Sequence, residues 1–174
     1  MHDEDTPCEI KAAVCTIADT TDFLKRIQEV SREFQVHLIC FDADKIAGMR
    51  HAGIAVKHAV RSFSEGRQIS KSLEMESLLY AAGSRQCSIA TSFGIHPGEN
   101  HLYICCTPAN EQAWRFLGSS IEILDEDPWE TITPEKHALL MTLFGITPEE
   151  CATVTAAEFP DLVLERVALL DVYR

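Results

Sequence analysis

The chain is short of the features that mark several large classes of protein. Its 174 residues hold 15 Lys and Arg against 27 Asp and Glu, a formal net charge of −12. A general coat of positive charge for gripping phosphates is therefore excluded, and any nucleic-acid contact must be local. No apolar run reaches the roughly 18 residues that cross a bilayer. The opening MHDEDTP is acidic and lacks the basic-then-apolar order of a secretory signal, so the expectation is a cytosolic protein without membrane contact. No two of the seven cysteines stand at C-x-x-C spacing, which removes the local footing for a zinc knuckle or a dithiol switch. Cys15, Cys40, Cys105 and Cys106 lie in apolar runs and read as reduced, buried small hydrophobes.

The common catalytic signatures are missing as well. There is no phosphate loop of the G-x-x-x-x-G-K-[ST] type, no G-x-G-x-x-G, no G-x-S-x-G elbow, no H-E-x-x-H, and no H-R-D or D-F-G run. No catalytic residue, metal or cofactor is expected. His51 and His58 share one face of a predicted helix but are seven residues apart, about 10 Å along its axis, too far to share one metal ion.

What is present is enough apolar material, 46% of the residues, for one globular domain over the whole chain, 1–174. The run IKAAVCTI (10–17) predicts a strand, followed by N-cap chemistry at Asp19, Thr20 and Thr21. A helix over 22–34 comes next, its stripe being Phe23, Leu24, Ile27, Val30 and Phe34. VHLICF (36–41) predicts a second strand, and Asp42 or Asp44 would cap a long helix from Lys45 to about Phe63. The core stripe there is Met49, Ala52, Val56, Ala59, Val60 and Phe63. The segment LEMESLLYAA (73–82) fits a helix or a buried strand equally well. Further on, a short helix ending at Gly94, the strand HLYICCT, a helix over 108–117, the strand IEIL, a helix over 134–144, a short helix starting at the cap signal of Thr147 and Pro148, and a last helix over 159–173 complete an α/β pattern. Strands alternating with helices predict one mixed sheet packed with helices.

Two anomalies stand out. Between Lys45 and Arg85 seven basic residues face only three acidic ones, so this stretch is positive in an otherwise strongly negative chain. Within it Arg50, Lys57 and Arg61 recur at i, i+7 and i+11, one helix face. This basic ridge is a solvated helix face or a local phosphate site. The last predicted helix has almost no polar side, its apolar positions including Leu162, Leu164, Val167 and Ala168. It is either buried all round or turns one apolar side to a partner.

The residues AVKHAVRSF, the run GRQISKSLEMESLLYAAGSRQ and the turn FGI before LYICC, in this order, resemble the small kinase-binding subunit of the KEOPS (EKC) complex, a family called TPRKB in animals. The GSRQ turn looks most like its archaeal branch. The resemblance extends more weakly to IEIL, KHALLMTLFGIT and the apolar C-terminal helix. It implies a non-catalytic subunit of the machine that makes threonylcarbamoyladenosine in tRNA. Such a subunit binds the kinase-like ATPase subunit and the single-stranded 3′ end of tRNA, and no DNA. It also implies that 75–82 is a strand. On this reading Lys57, Arg61, Arg67, Lys71, Arg85 and Gln86 contact tRNA, while Leu162, Leu164, Val167 and Ala168 contact the kinase-like subunit. The alternative is an interaction module that regulates the kinase-like subunit without touching RNA.

Overall fold

A computed structural model describes residues 8–173. Four strands, β1 (Glu9–Ile17), β2 (His37–Asp42), β3 (Gly98–Thr107) and β4 (Glu122–Ile123), form one sheet in the order β2-β3-β1-β4. Every neighbouring pair is antiparallel, which corrects the expected mixed sheet. The strand–helix–strand unit at the start of the chain does place β1 and β2 in the same direction. They are not neighbours, however, because β3 lies between them and runs against both.

The sheet is buried on both faces, which is why its strands read as nearly unbroken apolar runs. Alternate residues go to opposite sides. Leu38, Leu102, Ile104 and Cys106 join Ile27 and Val30 of helix α1 (Thr20–Phe34) and Ala113, Trp114 and Leu117 of helix α5 (Glu111–Gly118). On the other face Ile39, Phe41, Tyr103 and Cys105 form a larger core with four helices: α2 (Met49–Ser64), α3 (Leu73–Ala82), α6 (Pro134–Phe144) and α8 (Phe159–Val172). Two short helices, α4 (Cys87–Thr91) and α7 (Pro148–Cys151), link these pieces. The result is the α/β domain expected, helices on both sides of one sheet. The cysteines are free; Cys15, Cys105 and Cys106 are buried and Cys40 half-buried, and burial pushes the Cys40 thiol up to about 12. No helix among the described residues is long and apolar enough to cross a membrane.

Two expected elements change. The helix foreseen from Lys45 begins only at Met49. Asp42 caps a separate 3-10 turn over Ala43–Lys45 by accepting from the Asp44 N–H at 3.0 Å, and Gly48, at φ +97°, breaks the chain direction. A Cβ at Gly48 would come within 3.0 Å of the Glu130 carboxylate, which accepts from the Met49 N–H at 3.3 Å and so caps α2 from a distant loop. The segment 75–82, implied by the resemblance to be a strand, is helix α3. Its ends decide the matter: the Ser72 hydroxyl accepts from the Met75 N–H, Glu74 and Glu76 sit in the first turn. Gly83, at φ +60°, closes the far end with its own N–H on Tyr80 O and that of Ser84 on Leu79 O.

A basic surface around the last turn of α8

Helices α2 and α3 lie side by side in opposite directions. His51 donates from Nε2 to Ala81 O at 2.9 Å, the rings of His58 and Tyr80 stack at 5.2 Å, and Ser62 Oγ donates to Glu76 at 3.1 Å. Glu76 is completely buried. Besides Ser62 it accepts from the Ile69 and Ser70 N–H groups and the Ser70 hydroxyl, at 2.8 to 3.1 Å. One carboxylate thereby satisfies the backbone of the link between the helices and fixes the stretch carrying Arg67 and Lys71.

Helix α8 runs along α2. Arg50 pairs with Asp161 at 2.9 Å near the start of both helices, and Arg61 pairs with Asp171 at 3.3 Å near their ends. The two spacings are nearly equal, so the helices point the same way. Asp171 is the junction of this surface. It accepts from Tyr80 Oη at 2.5 Å, contacts His58 Nδ1 at 3.0 Å and takes the Arg61 guanidinium. Arg67 is close enough for Asp171 and Tyr80 to add to the pull of Glu65, its hydrogen-bond partner and the main cause of its raised pKa. Two residues beyond Asp171, Arg85 Nη1 donates to the Tyr173 carbonyl at 2.8 Å.

Of the six residues expected to meet tRNA, Arg61, Arg67 and Arg85 come together around Asp171 and Tyr173; Lys57 lies one turn before Arg61 on α2, while Lys71 and Gln86 flank opposite ends of α3. All six are exposed, but they are not alike. Arg61, Arg67 and Arg85 each hold an acceptor of the chain itself, whereas Lys57 and Lys71 make no ion pair among the described residues. Lys71 edges a cavity of about 340 Å³ floored by Val60, Phe63 and Leu73, with the His37–Glu74 pair at its rim. Gln86 stands at the N-cap of α4, its backbone N–H on Ser84 Oγ at 3.1 Å.

Helix α8 is neither buried all round nor open along one clean face. Phe159, Val163, Val167 and Leu170 form its inner side. Val167 is fully buried, so it is core and not a partner contact, a correction to the sequence reading. Leu162 packs partly on the same core. Leu164 and Ala168 face outward with Val172, four residues apart in turn, and Val172 and Tyr173 are about 70% exposed (69% and 72%). Sequence reasoning missed Asp171, Tyr80 and His58 as parts of this surface. Their partners are about a hundred residues apart in the chain, and no local pattern announces such a meeting. His51 is 1% exposed, and no group of His, Cys, Asp or Glu among the described residues could hold a metal ion.

Compared with known proteins, residues 15–171 match the family described as kinase binding protein CGI-121. No curated protein matches the chain.

Proposed function

We propose that this chain, which belongs to the CGI-121 family of kinase binding proteins, is a non-catalytic, cytosolic subunit of the KEOPS machinery that makes threonylcarbamoyladenosine in tRNA. It docks a kinase-like ATPase subunit through the outer strip of α8, Leu164, Ala168 and Val172. It takes the single-stranded 3′ end of tRNA on the basic surface beside that strip. The non-catalytic part of the reading rests on the absence of every common catalytic signature from the sequence.

One observation carries the RNA part. The stretch from Lys45 to Arg85 is locally positive in a chain with net charge −12, and within it Lys57 and Lys71 make no ion pair among the described residues. An unpaired tail needs few phosphate contacts, planar guanidinium groups and amides that reach base edges, and Arg61, Arg85 and Gln86 offer the latter two. A second reading, an interaction module that never touches RNA, is favoured by a different observation: Arg50, Arg61 and Arg67 are already paired with Asp161, Asp171 and Glu65.

A filter-binding titration with whole tRNA and with tRNA trimmed of its 3′ tail separates the two. Whole tRNA should bind and trimmed tRNA should bind far more weakly. Reversing Lys57 and Lys71 to Glu should flatten the salt dependence by about 0.7 in log–log slope per lysine, the single-strand value. These lysines are the residues to reverse because neither supports the fold. If the double reversal leaves affinity and slope unchanged, the module reading stands in place of this one.

A further inference from the structure

Tyr173 follows the buried apolar positions of α8 but is 72% exposed. Its surroundings are not those of a loose side chain. The Arg85 guanidinium grips its carbonyl at 2.8 Å, and two residues earlier Asp171 is tied to Arg61, His58 and Tyr80. The backbone that carries the ring is therefore held from α2, α3 and the turn beyond α3. Among the described residues the ring itself stacks on no other ring, and its hydroxyl has no partner. The chain's other two tyrosines, Tyr80 and Tyr103, are fully buried and donate to carboxylates.

We propose that Tyr173 is a stacking platform for an unpaired base of the RNA strand, carried on a turn whose backbone Arg85 holds and whose Asp171 side chain Arg61 holds. The proposal rests on the RNA reading given above. Proteins that hold single strands combine a cationic track with aromatic faces on which bases stack, and every base offers a π face, so such a platform is tolerant of sequence. A tyrosine ring has only two side-chain torsions to fix, so ordering it costs little. Arg85 bonds the backbone of Tyr173, not its ring, so replacing the ring leaves that anchor in place.

The test is tRNA binding by the full chain carrying Tyr173→Ala, Tyr173→Trp or Lys57→Glu, measured against salt. Tyr173→Ala should weaken whole-tRNA binding about 5- to 150-fold, the range measured for loss of one base–aromatic stack. The salt slope should not change, because a ring displaces no counterions. Tyr173→Trp should restore affinity, which a merely structural role for the phenol would not allow. If Lys57→Glu weakens binding but Tyr173→Ala does not, the platform is wrong and the RNA reading survives. If whole tRNA fails to bind the unaltered chain, both fall. If Tyr173→Ala keeps tRNA but loses the kinase-like subunit, the ring belongs to the protein interface and the proposal is overturned.

Discussion

Replacing His51 by glutamine should remove most of the acid sensitivity that this side chain gives the fold. His51 sits on α2 against α3, its Nδ1 accepting from the Ala47 N–H at 3.0 Å and its Nε2–H donating to Ala81 O at 2.9 Å. Both ring nitrogens are used, and a second proton on Nδ1 would break the Ala47 bond. Burial, with a minor contribution from the Lys136 charge, brings its pKa down from 6.5 to about 4. The unfolded chain therefore binds a proton in a range where the folded chain does not, and stability falls as pH drops from about 6.5 to about 4. At about 1.4 kcal/mol per pH unit, that interval corresponds to about 3 kcal/mol. Glutamine does not titrate. It can keep one of the two bonds, so His51→Gln should be less stable than the natural chain at pH 7.5 by about 1–3 kcal/mol. Urea unfolding from pH 7.5 to 4 gives the difference between the two proteins, in which all other titrating groups cancel. That difference should change by about 3 kcal/mol in favour of the variant on acidification, falling to about zero or reversing sign. A difference that stays constant over the range would refute the buried, neutral His51.

On α8, Val167→Glu should unfold the chain, since a carboxylate would replace a fully buried side chain at a cost of several kcal/mol. Ala168→Glu, one position further on the exposed side, should leave circular dichroism unchanged and abolish co-purification with the kinase-like subunit; retained co-purification would place that interface elsewhere. At the other end of the surface, Arg61→Glu sets a carboxylate against Asp171 and should cost about 1 kcal/mol, with faster amide exchange in the last turn of α8. Lys57→Glu should stay within about 0.5 kcal/mol, and equal melting temperatures for the two variants would deny Arg61 its anchoring role.

Much of the frame was legible in the sequence because local signals and tertiary structure agree there. Asp19 caps α1 and Pro134 opens α6, as the residues alone suggest. The failures have physical causes. Four consecutive buried residues, Leu79 to Ala82, give α3 the look of a core strand, and the caps that make it a helix lie just outside the apolar run. The start of α2 is set by Glu130, 81 residues away. On α8 nearly every position is apolar, so periodicity could not say that Val167 faces the core and Ala168 the solvent. The basic ridge was visible as charge; that its arginines hold α8 while its lysines stand free was not, because the acids concerned belong to a distant helix.

The position of β3 between β1 and β2 also governs how the chain can fold. Glu9 pairs with Cys106 and Ile17 with Gly98, contacts that close loops of some 80 to 100 residues, so the sheet cannot form by zipping neighbouring segments. Without β3, β1 and β2 would have no partner on their facing edges. Folding of this type is slow, and its early species exposes edges that pair readily with other chains. In the folded chain β3 completes the hydrogen-bond ladder and covers the facing edges of β1 and β2.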